Sequence, residues 1–556
     1  MHPVRLWRAI DHDKSLPSMH SEGLINRDTD GSHRETRMIP ALLRAGAAAL
    51  TLAFALPATA QTPPGVLVVA QIAEPKALDP HAVTAVNDFR ILMNVYDGLV
   101  RYKSGTLEVE PALAEDWEIS EDGTVYTFTL REGVEFHDGT PLDAEAVKFN
   151  FDRMLDEEHP FHDTGPFPLS FFFSSVTDVE AVDARTVRFT LDAPYAPFLS
   201  NLAYPTGLIV SPAAVREHGQ DFGRNPSGTG PFRFVEWESN SRVVVERNAD
   251  YWDGAPKLEA VVFRPITDAN TRVAEMLSGG VDVMVEVPPD NVAMFAEDAQ
   301  FTVHEQAGPH LWFLILNAKE GPMADKRVRQ AVNYAIDKTA IVENVLQGTA
   351  EVAAGPTPPA FAWAYNEDLE PYPHDPERAR ALLAEAGAES ASLTFLVTEG
   401  GSGMLDPLAM GAAIQADLEE VGLDVAIETY EWNTFLGKVN PGLEGAGDMA
   451  QMAWMTNDPD TLPYLALRSE AMPDQGGFNS GYYSNPEVDR LLEAARRATD
   501  QSERARLYKE MQEIVQEDAP WAFIANWKQN AVTNDRVAGF ALEPSFFLLL
   551  DDVTKN

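Results

Sequence analysis

Cysteine is absent from this 556-residue sequence. Without cysteine the chain can form no disulfide bond, no thiolate metal site and no cysteine nucleophile, and an exported form would carry no lipid-modified cysteine as a tether. Basic residues are also scarce, because 42 Lys and Arg stand against 86 Asp and Glu, a formal net charge of −44. A field of that sign repels nucleic acid and anionic lipid head groups. We therefore expect an untethered protein with no nucleic-acid partner.

Long hydrophobic runs are lacking too, and the one apolar segment near the start is Ala45–Leu56. It is too short to span about 30 Å of hydrocarbon, so a membrane anchor is disfavoured. Arg44 precedes it and residues 58–60 (ATA) follow it, which is the pattern of a secretory signal peptide and its cleavage site. We expect residues 1–60 to be removed on export. Met1–Arg37 is polar and patternless, so it is either a long amino-terminal region or an extension upstream of the native start.

The stretch Leu113–Leu155 has the clearest local pattern in the chain. Bulky and polar residues alternate on both sides of Asp122 and Gly123, which favours a β-hairpin whose turn tolerates positive φ. Asp143 then precedes apolar residues spaced four apart around Phe151, the pattern of a helix. We expect Asp143 to cap that helix at its amino-terminal end.

The chain is long enough for more than one core, because single hydrophobic cores rarely grow past about 250–300 residues. Strand patterns alternate with helical patterns over most of its length, which predicts an α/β fold. The pattern changes near His310, and Trp521–Ala525 reads as a late buried strand. We expect lobe I at residues 61–308, lobe II at 309–520 and a return to lobe I at 521–556. Two such crossings would form a hinge.

Enzyme motifs are also missing from the sequence. Neither G-x-S-x-G nor H-E-x-x-H occurs, and the nearest serine between glycines, in Gly400–Gly403, is followed by Met404 instead of the required glycine. We therefore expect no catalytic residue, no cofactor and no metal site. Carboxylates are plentiful, however, and a secreted hydrolase acting on peptides or glycosides remains the alternative function.

Several motifs together resemble one protein family. They lie in Asp116–Val147 (including DGT, YTFTLR, GVEFHDGTP and AEAV), Gly228–Phe232 (GTGPF), Arg247–Trp252 (RNADYW), Asp325–Val332 (DKRVRQAV) and Tyr482–Asp489 (YYSNPEVD). This set is similar to the signature of the family 5 extracellular solute-binding proteins, which serve ABC importers of peptides, nickel and related solutes. The resemblance extends over nearly all of Val66–Phe540.

The resemblance implies a two-lobed periplasmic-binding-protein architecture with a hinge. It also implies an extra β-rich subdomain in lobe I, at about residues 99–204. The implied function is capture of a small-molecule or peptide ligand in a cleft between the lobes and its delivery to the permease of an ABC transporter in the inner membrane. Such a protein is expected to be a monomer, and without a lipid anchor it would be retained only in a periplasm.

Loops that follow parallel strands commonly bind ligands, which singles out three segments of lobe II. Their candidate contacts are Met404, Tyr430, Trp432, Trp454, Asn457, Asp458 and Asp460. The resemblance adds His81, from an early loop that lies near the cleft in the family, and it matches Trp454 to the family's cleft tryptophan. The alternatives are core packing for the apolar candidates, a turn or helix cap for the two carboxylates, and a surface imidazole for His81.

The ligand itself stays open at this point. Dipeptide-binding members of the family clamp both peptide termini, with an aspartate in the loop corresponding to Thr456–Asp460 and an arginine in the stretch corresponding to Thr398–Met404. Here that second stretch reads TEGGSGM and has no arginine, and the first loop is short. A plain dipeptide is therefore in question, and longer peptides, glutathione, opine-like conjugates or a sugar are the other candidates.

Overall fold

The computed structural model describes residues 62–401 and 403–556, so the expected signal peptide at residues 1–60 lies outside the described residues. The described strands, in chain order, are β1 (Val66–Gln71), β2 (Val100–Tyr102), β3 (Val109–Pro111), β4 (Ala114–Ile119), β5 (Val125–Leu130), β6 (Val176–Ala181), β7 (Thr186–Leu191), β8 (Phe232–Glu238), β9 (Arg242–Arg247), β10 (Ala260–Pro265), β11 (Val283–Val285), β12 (Phe301–Ala307), β13 (His310–Leu316), β14 (Ala350–Val352), β15 (Ser392–Thr398), β16 (Asp424–Tyr430), β17 (Met449–Met455), β18 (Trp521–Asn534), β19 (Val537–Ala538) and β20 (Thr554–Lys555).

The described α-helices of six or more residues are α1 (Val86–Val95), α2 (Ala144–Leu155), α3 (Phe198–Ala203), α4 (Pro212–His218), α5 (Ala269–Ser278), α6 (Pro289–Glu297), α7 (Lys326–Ala335), α8 (Pro376–Ala386), α9 (Pro407–Glu420), α10 (Trp432–Val439), α11 (Thr461–Ala466), α12 (Pro486–Arg497) and α13 (Gln501–Asp518). Helix α2 begins as predicted, because the Asp143 carboxylate accepts a hydrogen bond from the backbone N–H of Ala146 at 2.8 Å. Among the residues described, no helix combines the length and the apolar character needed to cross a membrane.

Lobe I is built on the sheet that contains β1. Strand β1 runs parallel to both of its neighbours, β10 and β11, and the sheet continues antiparallel through β9 and β8. All six residues of β1 are buried. Leu67 and Val69 belong to the apolar core on one face, and Val66 and Val68 belong to the core on the other. A strand covered on both faces needs the near-continuous apolar sequence that β1 has.

The β-rich subdomain of lobe I is a four-stranded antiparallel sheet in the order β4, β5, β7, β6. Strands β4 and β5 form the predicted hairpin, and Gly123 in its turn has a φ of 70°. Aromatic rings fill the space between this sheet and α2. Phe189 packs edge-on against Phe128 and Phe151, with ring centroids 5.7 and 4.8 Å apart. These edge-to-face contacts are the favoured geometry for aromatic pairs.

Lobe II is built on β13, β15, β16 and β17. Strand β15 pairs in parallel with β16 on one side and β17 on the other, which confirms the parallel pattern expected from alternating strands and helices. Apolar residues of α7, α8 and α9 form the core on one face of this sheet, and residues of α12 and α13 form the core on the other. The carboxyl ends of β15, β16 and β17 therefore share one edge.

Strand β18 joins the two lobes. Its first residues, Trp521–Ala525, pair with β13 of lobe II, and its last residues pair with β11 and β12 of lobe I. The change from pairing with lobe II to pairing with lobe I thus takes place inside this strand. The other crossing is the short link between β12 and β13, where a side chain at Gly308 would put its Cβ 1.9 Å from the Phe546 ring. The domain boundaries as a whole stay a prediction.

The two ends of the described chain meet at one buried carboxylate in lobe I, Asp282, which is fully buried. Its oxygens accept hydrogen bonds at 2.7–3.0 Å from Thr62 Oγ1, Val68 N, Asn534 Nδ2, Arg536 Nη2 and Lys555 Nζ. A buried charge is tolerated only when it is paired and fully hydrogen-bonded, and Asp282 meets both conditions. This residue therefore ties the first strand, the end of β18 and the carboxyl-terminal tail together.

We expect Asp282→Ala to lower the free energy of unfolding by about 3–5 kcal/mol, because it leaves the buried Lys555 ammonium without its carboxylate. Chemical denaturation of the purified protein measures this loss. Asp552→Ala is the matched control, since Asp552 pairs with Lys257 at 2.8 Å but has a side chain that is 82% exposed. Exposed pairs contribute about 0–1 kcal/mol. Equal losses in the two variants would contradict the anchoring role of Asp282.

Candidate functional site

A cavity of about 230 Å³, the cleft cavity, lies between the two lobes. Lobe I contributes Thr84, Val86, Leu169, Phe171, Phe172 and Tyr204. Lobe II contributes His310, Gly403, Trp432, Ala453, Trp454, Met455, Asn457, Thr461 and Leu465. Apolar and aromatic side chains thus dominate the lining, with a few polar groups among them, as is common in small-molecule sites.

The two tryptophans reach the cleft cavity from the shared edge of the lobe II sheet. Trp454 is the penultimate residue of β17, and its ring packs edge-on against Phe478 with centroids 5.3 Å apart. Trp432 is the first residue of α10, and it stacks on Phe435 at an interplanar angle of 14°. Both are half-buried. Their neighbours hold each ring in place while part of its surface faces the cavity.

His310, the first residue of β13, is a lining residue that the sequence did not single out as a contact. Its Nε2–H donates to the carbonyl of Gly403 at 2.9 Å, and its Nδ1 accepts from the backbone N–H of Trp527 at 3.4 Å. Burial lowers the pKa of His310 to about 4, so the imidazole is neutral. Gly403 has a φ of 73°, and a Cβ there would lie 2.9 Å from the imidazole. Glycine is therefore required for this contact.

Direct hydrogen bonds join the lobes beside the cleft cavity. Ser200 Oγ donates to Asp458 Oδ2 at 3.1 Å, and Asn457 Nδ2 donates to Asn201 Oδ1 at 2.7 Å. Ser200 and Asn201 are neighbours on α3 of lobe I, and their partners are neighbours in the loop after β17 of lobe II. Two consecutive residues of one lobe thus pair with two consecutive residues of the other. These two bonds are called the interlobe latch below.

The two candidate carboxylates of this loop face arginines of lobe II. Asp458 Oδ1 accepts from Arg504 Nη2 at 2.7 Å and from the backbone N–H of Asp460 at 2.9 Å. Asp460 Oδ2 lies 3.7 Å from Arg496 Nε, and burial raises the pKa of the Asp460 carboxyl to about 6. Both carboxylates are buried, and neither belongs to the lining of the cleft cavity.

Asp460 is also not a side-chain cap of α11, although the residue precedes that helix. One of its oxygens, Oδ1, is buried without a hydrogen-bond partner among the described residues.

The other candidates lie away from the cleft cavity. His81 is buried in lobe I, where its Nε2 donates to the carbonyl of Leu208 at 2.9 Å, close to the buried ion pair between Arg153 and Asp79. Burial lowers its pKa to about 4. Met404 is 5% exposed in the lobe II core.

Tyr430, at the end of β16, donates its hydroxyl hydrogen to Glu428 at 2.5 Å. Of the eight candidates, the structure brings Trp432, Trp454 and Asn457 together on the lining. Their role in binding stays a prediction.

Sequence reasoning missed the wall that lobe I provides. Phe171 and Phe172 stand in a short turn of the chain, and Tyr204 follows α3. The one available signal was the run of aromatic residues at Phe171–Phe173 in a region of frequent turns, where an apolar cluster is unusual unless it is covered. The pairing of this wall with Trp432 and Trp454 depends on the tertiary fold.

Comparison with known proteins matches residues 108–472 to "Bacterial extracellular solute-binding proteins, family 5 Middle". The chain is 33% identical to di/tripeptide-binding protein 2 of Pseudomonas aeruginosa, an alignment that covers 89% of this chain and 96% of the relative. It is 35% identical to heme-binding protein A of Haemophilus influenzae, over 81% of this chain and 85% of the relative.

Among solved structures, HbpA2 from Haemophilus parasuis superimposes with a TM-score of 0.80 at 32% identity, covering 88% of this chain and all of that protein. The structural superposition, the coverage of the alignments and the sequence identities all indicate the same family. This chain belongs to family 5 of the bacterial extracellular solute-binding proteins.

Proposed function

We propose that this protein is the periplasmic substrate-binding component of an ABC importer and that it captures a peptide or peptide-like solute in the cleft cavity. The observation that carries the proposal is an aromatic-lined cavity whose two walls belong to different lobes. A relative named for binding di- and tripeptides supports a peptide as the solute. A relative named for binding heme adds heme to the solutes that should be tested. Its partner would be the membrane permease, which it would meet as a monomer.

The proposal includes capture by lobe closure. The lobes are connected by the short link before β13 and by the middle of β18, so a rotation about these two connections would open and close the cleft. Closure around a solute would exclude water from the aromatic walls. The interlobe latch would then add bonds that form only when the lobes are close. The solute would be released when the permease favours the open arrangement.

The cleft cavity suits binding better than hydrolysis. A hydrolase needs a nucleophile or a pair of carboxylates beside the bond that it breaks. The described lining residues include no carboxylate, and the one imidazole, that of His310, is hydrogen-bonded through both ring nitrogens. We therefore propose that Trp432, Trp454 and Asn457 hold the solute without reacting with it.

We propose supporting roles for the remaining candidates. Asp458 would hold the loop after β17 against Arg504 and link it to lobe I, and Asp460 would brace the same loop through Arg496. His81, Met404 and Tyr430 would act on binding only through the elements that they stabilise.

The export of the protein yields a prediction about the mature chain. We expect it to begin near Gln61 and to carry no lipid, because residues 58–60 form the cleavage pattern and the sequence has no cysteine. Mass spectrometry of the periplasmic product measures both properties. An intact Met1 or an acylated terminus would contradict the prediction.

A ligand screen tests the proposed function directly. A solute at 100 times its Kd should raise the free energy of unfolding by about 2.7 kcal/mol, which a shift in Tm reveals. The screen should contain di- and tripeptides, glutathione, opines, sugars, nickel chelates and hemin, with small-angle scattering to follow lobe closure. Stabilisation by a peptide that is recovered unchanged is the expected result. Chemical consumption of the stabilising compound would instead favour the hydrolase.

Replacing one cleft tryptophan tests the site. We expect Trp454→Ala to weaken solute binding by about 2 kcal/mol or more, as for other buried aromatic anchors, and to lower the Tm only slightly. Titration calorimetry measures the affinity. Trp237→Ala is the matched control, because Trp237 is also half-buried but lies in β8, where its Nε1 donates to Glu74 at 2.8 Å. Wild-type affinity in Trp454→Ala, or an equal loss in both variants, would contradict the assignment.

A further inference from the structure

The cleft cavity is neutral. The described lining residues include no Asp, Glu, Lys or Arg. The one titratable imidazole, that of His310, is unprotonated because burial lowers its pKa to about 4. Ser402, which precedes Gly403 in the sequence, carries no formal charge either. A charged group of a solute that entered this cavity would lose its water and find no charge of opposite sign. Such burial is among the most costly events in binding.

Asp458, in the loop after β17, is already engaged. Asp458 Oδ1 receives two donors, from Arg504 and from the backbone of Asp460, and Oδ2 receives the Ser200 hydroxyl. The Asp458 side chain is 3% exposed. A solute ammonium could reach it only by displacing the buried Arg504 from Oδ1 or by displacing the Ser200 hydroxyl, one bond of the interlobe latch, from Oδ2.

The nearby arginine of α12 is engaged as well. Arg496 lies beside Asp460, and its guanidinium stacks over the rings of Tyr464 and Tyr195 at 3.5 and 4.6 Å from the centroids. Its guanidinium therefore already has both a carboxylate and two aromatic faces as partners. Neither a free amino terminus nor a free carboxyl terminus would meet an available charge within the cleft cavity.

The residues that line the cleft cavity carry flat apolar rings and neutral hydrogen-bond donors. Phe171, Phe172, Tyr204, Trp432 and Trp454 contribute aromatic rings. Within the described part of the chain, neither indole N–H of these tryptophans has a hydrogen-bond acceptor, and the hydroxyl of Tyr204 has no partner. Carbonyl oxygens of a solute accept hydrogen bonds and would therefore suit these donors.

Charged side chains appear outside the cleft cavity, along an adjoining groove of about 370 Å³, the rim groove. Phe171 and Leu465 line both spaces, so the two adjoin. The rim groove adds Asp192 and Glu493 together with Arg497. A solute that spans both spaces would therefore keep any charge at the rim, where side chains and water can solvate it.

We propose that the cleft cavity selects the neutral, apolar part of its solute, held by aromatic contact and by hydrogen bonds to carbonyl oxygens, and does not clamp charged peptide termini. This inference rests on the proposed function of peptide capture. It narrows the solute class to peptides or peptide-like compounds with large apolar side chains. Binding of such a solute would not depend on charged end groups.

The test compares peptides with free and blocked ends. Leu-Phe, Phe-Leu, Met-Leu and Leu-Phe-Leu are each titrated into the wild-type protein by calorimetry, both as the free peptide and as the N-acetylated, C-amidated form. We expect at least one blocked peptide to bind with a Kd less than tenfold weaker than that of its free form, or tighter. A loss of tenfold or more on blocking, in every peptide that binds, would overturn the inference and leave peptide capture standing. Absence of binding by all eight compounds would overturn peptide capture, and the inference with it.

A variant provides a second readout. Asp458→Asn should change the Kd of a free peptide and of its blocked form by the same factor, because the carboxylate serves Arg504 and Ser200 and not the peptide amino group. If the variant weakens the free peptide at least tenfold more than the blocked one, Asp458 contacts the ammonium and the inference is wrong. Trp454→Phe is the companion variant, and we expect it to weaken both forms by the same factor, since it keeps an aromatic ring at this position but removes the N–H donor. A loss of tenfold or more confined to the free form would contradict the inference.

Discussion

Both lobes share strand β18, and this shared strand is the constraint on which the cleft depends. Its first residues extend the lobe II sheet beside β13, and its last residues extend the lobe I sheet beside β11 and β12. Pairing with β13 and β14 holds the strand to lobe II as far as Trp527, and pairing with β12 and β11 holds it to lobe I from Lys528 onward, so the change of lobe falls between these two residues. The cleft walls are thus rigid surfaces whose separation is set by a few residues. His310, at the start of β13, links this region to the Gly403 loop on the cavity lining.

Elements with local causes could be predicted from the sequence. The β4–β5 hairpin follows from alternation around Asp122 and Gly123, and the start of α2 follows from one carboxylate, that of Asp143, three residues before its partner. The crossing inside β18 could not be located in this way. Buried apolar residues occur both where it pairs with lobe II and where it pairs with lobe I, so its composition does not mark the change of partner.

The candidate site could likewise be predicted only in part, because some of its residues come together only through the tertiary fold. Trp432, Trp454 and Asn457 were accessible to prediction because loops at the carboxyl edge of a parallel sheet have a predictable location. The aromatic wall of lobe I was not, since it meets them only in the folded protein. The pairing of Asp458 with Arg504 was also hidden, because Arg504 lies 46 residues further along the chain. A carboxylate in a loop looks the same in sequence whether it awaits a ligand or already has a partner.

The interlobe latch has a consequence for how tightly the protein holds any solute. Neither Ser200 nor its partner Asp458 is on the lining of the cleft cavity, so this bond of the latch favours the closed arrangement whether or not a solute is inside. An affinity measured from solution is the intrinsic affinity of the closed form reduced by the fraction of molecules already closed. Changes at Ser200 can therefore tune uptake over a range of solute concentrations while the preference among solutes is preserved. Affinity and selectivity are in this way encoded by separate residues of one cleft.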